Sequence, residues 1–221
     1  MLDAILDPRR VAVIGASNSP ARIGGRPIQM SLEGGFDGDI FPVNPNYETV
    51  QGLKAYSAIG DVPGTVDCAV VSVPVAIAVD AVRACANAGV RSLVMFTSGF
   101  AEMGVAGEAA QAEVASIARD SGMRIVGPNC LGVFNLQRQW YATFANIAGL
   151  TKLPPGPTGI VSQSGAYGTH VYVASQLRGL GAKYWVTTGN EVDVDVAEVI
   201  AHYATAPDVE LIVAYAEGMK D

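Results

Sequence analysis

The sequence predicts an α/β fold built on parallel sheets, and three observations carry that expectation. Apolar runs of strand length alternate with segments of helical periodicity. Within several of the runs the residues are apolar without interruption, the pattern of strands covered on both faces. The runs end in turns rich in Gly, Ser, Asn or Pro, where open parallel sheets hold their ligands.

Residues 10–14 read as the first strand and Gly15-Ala16-Ser17 as the turn behind it. Gly24, Gly25 and Pro27 open a helix carrying Ile28, Met30 and Leu32, and Gly34-Gly35 ends it. Residues 39–43 form the second strand, and Pro42 and Pro45 keep its exit extended. The third strand covers 67–73. Apolar residues at 75, 78, 79, 82, 85 and 86 then recur at helical spacing until Gly89. A strand over 92–97, a helix over 107–121 backed by Gly122, and a strand over 123–126 complete a doubly wound unit.

Residues 131–157 interrupt the alternation. Trp140, Tyr141, Phe144 and the run Pro154-Pro155-Gly156-Pro157 read as a connecting segment packed between two units. A second alternation follows, with strands over 159–162, 182–187 and 209–215 and helices over 165–179 and 194–204. Three parallel strands with two helices leave a sheet incompletely covered, with an apolar edge at 211–214. Association with a second copy or another chain, as a homo- or hetero-oligomer, is therefore expected.

Composition bounds the function. Half of the 221 residues are hydrophobic and 16% are charged, enough for a buried core. A net charge of -7 with only 14 Lys and Arg argues against a nucleic-acid surface. Cys68, Cys85 and Cys130 are odd in number and lack metal-ligand spacing, so they read as reduced thiols of a cytoplasmic protein with no metal site. No signal peptide is evident at the N-terminus, and the longest apolar run, 68–79, is broken by Ser72 and Pro74 and is too short for a bilayer, so no membrane contact is expected.

Two turns concentrate the candidate chemistry: VIGASNSPARIGG at 13–25 and GIVSQSGAYG at 159–168. Each leads an apolar strand through a Gly/Ser-rich turn into a helix, which points backbone N–H groups at an anion. Two phosphate-bearing sites are expected. The first turn lacks a strict GxGxxG, and Asn44 stands where a nicotinamide domain would place a ribose-binding carboxylate, which disfavours an oxidoreductase. Plainer readings stay open beside these. Glu102 fits a solvated loop carboxylate and Glu217 a surface residue at a strand end, while Arg22 and Arg26 suit either phosphate contact or solvent.

An ordered set of motifs carries a family resemblance: GAS at 15–17, IGG at 23–25, GFDGDIFPVNP at 35–45, SGFAEMG at 98–104, GPNCLGVFN at 127–135, GIVSQSGAYG at 159–168, GNEVDVD at 189–195 and YAEG at 215–218. Together they resemble the NDP-forming acyl-CoA synthetases, which include the ADP-forming acetyl-CoA synthetases and are related to the α subunit of succinyl-CoA synthetase. The resemblance covers essentially the whole chain. It implies a Rossmann-like CoA-binding domain over 1–130, the connecting segment 131–157, and a truncated flavodoxin-like, succinyl-CoA ligase-like α/β domain over 158–221.

The resemblance also implies roles. Gly15, Ala16 and Ser17 would lie near CoA's phosphates and adenosine, with Ile23, Val43, Asn44 and Pro74 around the nucleotide. Ser98, Glu102 and Asn129 would lie toward the pantetheine and thiol end. Ser162, Gln163, Ser164 and Gly165 would hold the phosphoryl group, and Glu217 would orient a phosphorylated histidine. That histidine lies beyond the YxEG motif in the family, outside this sequence; His170 and His202 sit on helices away from the motif. The implied reaction is acyl-CoA + NDP + phosphate to acid + NTP + CoA, with ATP/ADP or GTP/GDP and Mg2+ bound by an ATP-grasp domain or β subunit. The implied small-molecule partners are CoA and a carboxylic acid or its acyl derivative, and the chain alone would bind CoA without turnover. An alternative is a CoA-binding or regulatory module of a protein acetyltransferase, or a stand-alone CoA-binding protein.

Overall fold

A computed structural model describes residues 2–147 and 153–218. The helices are α1 (Asp3–Leu6), α2 (Arg26–Gly34), α3 (Ala78–Asn87), α4 (Val105–Ser121), α5 (Gly165–Leu177) and α6 (Val196–Thr205). The strands of the first half are β1 (Arg10–Ile14), β2 (Asp39–Val43), β3 (Thr49–Val50), β4 (Leu53–Lys54), β5 (Cys68–Val71), β6 (Ser92–Met95) and β7 (Arg124–Val126). Those of the second are β8 (Gly132–Asn135), β9 (Trp140–Thr143), β10 (Thr158–Ser162), β11 (Ala182–Thr187) and β12 (Leu211–Tyr215).

The first sheet is wholly parallel, in the order β2-β1-β5-β6-β7. Its strands β5 and β6 are buried along their entire lengths; they are apolar but for Ser92, whose hydroxyl donates to Asp67 O at 2.8 Å. Helix α2 carries Pro27 in its first turn and closes on Gly35 in the left-handed region, φ 84°. Residues 75–88, expected as one helix, form a 3-10 turn over Val75–Ile77 followed by α3. The link from β2 to β5 carries no α-helix; it holds the short β3–β4 hairpin and a 3-10 turn at Ile59–Asp61.

The second sheet runs β12-β10-β11-β8-β9. Strands β12, β10 and β11 are parallel, as the sequence predicts, while β8 and β9 add an antiparallel hairpin against β11. This sheet therefore has five strands rather than the three expected. The residues read as a connecting segment supply the other two, because Val133, Phe134, Trp140 and Tyr141 have an apolar face to bury. Residues 148–152 of that segment lie outside the described residues. Helix α1 docks on the hairpin, with Trp140 Nε1 donating to Ile5 O at 3.0 Å and Asn135 Nδ2 donating to Leu6 O at 2.9 Å.

One continuous core joins the sheets. It runs from Val11, Val13 and Val70 through Val126, Cys130 and Val133 to Val161, Tyr184 and Tyr203. A second cluster fills the far face of the first sheet around Leu93, Met95 and Phe100, and a third surrounds Phe134, Tyr172 and Trp185. The segment after β11 pairs with the edge of β7 and beyond: Asn190, Val192 and Val194 N–H groups donate to Pro128, Gly127 and Ile125 O at 2.9, 2.9 and 3.1 Å. Arg124 closes this seam on Asp193 (Nε, 2.9 Å) and Glu198 (Nη1 2.7 Å, Nη2 2.6 Å). No helix among the described residues is long and apolar enough to cross a membrane.

Candidate functional site

Strand order in the first sheet reverses between β1 and β5, so the loops at their carboxyl ends face each other across a crevice. Gly15 takes φ 85°, and a Cβ there would stand 2.7 Å from Ser72 O. A Cβ on Gly24 would stand only 2.1 Å from Gly15 O, so the turn closes because both residues are glycine. Neighbouring side chains pin it: Ser72 Oγ donates to Ile14 O (2.9 Å) and Asn44 Nδ2 to Ala16 O (2.8 Å). Gln51 Nε2 donates to Ser17 O (3.0 Å) and Gly25 O (2.8 Å).

Four cavities share lining residues and form one groove over this crevice. The first, about 510 Å³, is a mainly apolar pocket lined among others by Ile14, Gly15, Val43, Asn44 and Pro74. The second, about 380 Å³, adds Ala16, Ser17, Arg22, Ile23 and Gly24. A third, about 340 Å³, runs past Pro74, Phe96 and Ser98. It leads to a fourth, about 470 Å³, where Ser98 and Asn129 of the first unit meet Gln163, Ser164, Gly165 and Glu217 of the second.

The second sheet has its own reversal, between β10 and β12, and the fourth cavity lies at their carboxyl ends. Ser164 is the N-cap of α5, its hydroxyl accepting from Tyr167 N at 3.3 Å. Gly165 is required there, because a Cβ would lie 2.5 Å from Leu131 Cγ. Gln163 ties the loop to its neighbours. Its Oε1 accepts from Glu217 N (2.5 Å) and Gly218 N (3.1 Å), and its Nε2 donates to Gly218 O (2.6 Å) and Glu191 Oε2 (3.0 Å).

At the opposite wall, Glu102 accepts from Gly99 N through Oε1 and from Asn190 Nδ2 through Oε2, both at 2.5 Å. Partial burial acts to raise its carboxyl, but those hydrogen bonds outweigh it and hold Glu102 below the usual range. Asn129 occupies the left-handed region, φ 58°, after a cis Gly127–Pro128 bond. Cys130 lines the same cavity, yet burial pushes its thiol up to about 12, so it is a neutral thiol at physiological pH.

The structure gathers Gly15, Ala16, Ser17, Val43, Asn44 and Pro74 at one end of the groove, Ile23 and Ser98 along it, and Asn129, Gln163, Ser164, Gly165 and Glu217 at the other. Ser162 lies beneath the loop, buried, its hydroxyl donating to Ser164 O at 2.7 Å. Glu102 stands behind the cavity wall rather than in its lining. His170 is exposed on α5 and His202 half-buried on α6, and neither lines the groove. Sequence reasoning did not single out Gln51, Asn190 or Glu191. Gln51 sits in a two-residue hairpin turn with no motif around it, whereas Asn190 and Glu191 lie inside the GNEVDVD motif.

Residues 9–135 match the family described as CoA binding domain, and residues 155–221 match the succinyl-CoA ligase like flavodoxin domain. The α subunit of the ADP-forming acetate–CoA ligase II of Pyrococcus furiosus is 36% identical over 221 residues, covering 100% of this chain and 47% of that protein. A trans-feruloyl-CoA synthase from an unknown prokaryotic organism is 37% identical, covering 99% of this chain and 31% of its own length. Among solved structures, a dinucleotide-forming acetyl-coenzyme A synthetase of Ca. Korarchaeum cryptofilum in complex with phosphate and ADP superposes with a TM-score of 0.92 at 33% identity. That match covers 100% of this chain and 46% of the other. The chain thus spans about half, or less, of the length of these relatives.

Proposed function

This chain belongs to the family of CoA-binding domains found, with a succinyl-CoA ligase-like domain behind them, in ADP-forming acyl-CoA synthetases, and on that premise we propose that it binds CoA along the groove and presents the thiol to a phosphoryl site. The enzyme it serves would interconvert acyl-CoA, NDP and phosphate with acid, NTP and CoA in the cytoplasm. One observation carries this reading: the CoA-facing loops and the GIVSQSG loop open into a single cavity of about 470 Å³.

The crevice fits the cofactor. An apolar pocket for the adenine leads to a glycine turn with Arg22 beside it for the phosphates, then past Ile23 and Ser98 toward Asn129. CoA bound there supplies a thiol nucleophile. At the far end, the lining among the described residues holds no Lys or Arg, so phosphate would meet the N–H groups at the start of α5 and the Ser164 hydroxyl. Glu217, which lines that cavity, would orient an incoming imidazole and fix its tautomer. The nucleotide, Mg2+ and the histidine would come from further domains or subunits, in a homo- or hetero-oligomer.

Calorimetric titration of the chain with CoA, dephospho-CoA and NAD tests the reading. CoA is expected to bind with a micromolar Kd, and NAD not at all. Equal or tighter binding of NAD, or no binding of CoA, would overturn it.

A further inference from the structure

The turn over residues 188–191 holds both ends of the cavity by different side chains. Toward the first unit, Asn190 donates through Nδ2 to Glu102 Oε2 (2.5 Å) and Gln111 Oε1 (3.0 Å), and its Oδ1 accepts from Asn129 Nδ2 (3.2 Å). Its backbone N–H donates to Pro128 O at 2.9 Å. Toward the second unit, Thr188 N donates to Ser162 O at 2.9 Å, under the phosphate loop.

Glu191 completes the connection. It is 4% exposed and in the left-handed region, φ 55°, a conformation non-glycine residues rarely adopt. Its Oε1 accepts from Thr188 Oγ1 (2.8 Å) and Val196 N (3.0 Å), which fixes the carboxylate to the turn and to the start of α6. Its Oε2 accepts from Gln163 Nε2 at 3.0 Å. That bond decides which way the Gln163 amide faces, so that the oxygen, not the nitrogen, receives Glu217 N and Gly218 N. Hydrogen bonds therefore tie Glu102 and Asn129 to Asn190, the backbone carries the link from Asn190 to its neighbour Glu191, and hydrogen bonds continue it through Gln163 to the backbone of Glu217.

We infer that this turn couples the thiol end of the CoA groove to the phosphoryl site, with Glu191 as the positioning residue that sets the Gln163 amide and hence the place of Glu217. The inference rests on the CoA-synthetase reading and adds a linkage between its two halves. A ligand that fixes Asn129 and Glu102 also fixes the turn, and the turn presents the second site already ordered. Reciprocity then requires each ligand to favour the other by the same factor.

The test is calorimetric titration of the full chain with CoA in the presence and absence of inorganic phosphate, and the converse. Phosphate is expected to tighten CoA binding about fivefold or more, and CoA to tighten phosphate binding equally. Glu191→Gln keeps the acceptor toward Thr188 and Val196 but sets an amide N–H2 against the Gln163 N–H2. It should bring the coupling factor to about 1 while CoA affinity without phosphate stays within about twofold of wild type. Asn190→Asp, at a half-buried position, breaks the same line from the other side and should also abolish the factor, whether or not Glu191→Gln folds. Absence of coupling in the wild-type chain, or its survival in Asn190→Asp or a folded Glu191→Gln, would overturn the inference. Failure of the wild-type chain to bind CoA would instead bring down the underlying reading together with it.

Discussion

Single residues set the shape of the groove, and glycines most of all. At Gly24 the backbone of the first turn passes so close to Gly15 that a single methyl group has no room, 2.1 Å from Gly15 O and 2.7 Å from Ser72 Oγ. Gly24→Ala should therefore cost about 1–3 kcal/mol in unfolding free energy, the range of overpacking, and weaken CoA binding at least tenfold. Gly60 has nothing within 4 Å of its Cβ position, so Gly60→Ala is the control expected to change neither. Chemical denaturation and calorimetry read both effects. The Gly24–Gly25 pair was legible in the sequence only as the opening of a helix; its close approach to Gly15 depends on how the turn folds back. Gln51 was not legible: its amide reaches across from another hairpin, and only tertiary structure brings it to Ser17 O and Gly25 O.

Among the elements, the seam between the two sheets bears most on function, since the fourth cavity lies across it. Residues 190–194 pair with the exposed side of β7, which removes one free edge of the first sheet. Arg124 locks the pairing with a fork on Glu198 and a further bond to Asp193, and these partners, Glu198 foremost, hold its guanidinium above the ordinary range. Removing the cation leaves two part-buried carboxylates facing each other. Arg124→Ala is expected to lower stability by about 2 kcal/mol, between the values for exposed and buried pairs, and denaturant titration monitoring Trp140 and Trp185 would detect it. A loss below about 0.5 kcal/mol would mean that the seam is held by its backbone hydrogen bonds and apolar core without the ion pairs.

The elements differ in how plainly the sequence announced them. Strands β1 and β5 and helices α2 and α4 were readable because covered parallel strands leave apolar runs and glycines stop the helices. The β8–β9 hairpin escaped, since its two four-residue strands alternate with neither a helix nor a glycine turn. Its turn instead depends on Asn135, whose Oδ1 accepts from Gln137 N and Arg138 N. Helix α1 escaped because four residues are too few to show periodicity.

At the scale of the whole molecule, two sheets each reverse their strand order, and the crevices at the two reversals open toward each other. The motifs announced two anion-binding turns, and the resemblance assigned them to CoA and to a phosphoryl group. What no local pattern could supply was the distance between them, which depends on the seam, the hairpin and the shared core from Val70 to Tyr203. Under the proposed function, this arrangement would make one chain the meeting place of thiol and phosphoryl group. Amide hydrogen exchange of the chain with and without CoA tests that central proposal most directly. Protection is expected at residues 15–24, 43–46 and 72–75, where the proposal puts the nucleotide, and also at 127–131 and 163–166, where it puts the thiol end against the loop of the second sheet. Protection confined to the first three segments, with 163–166 unchanged, would contradict it.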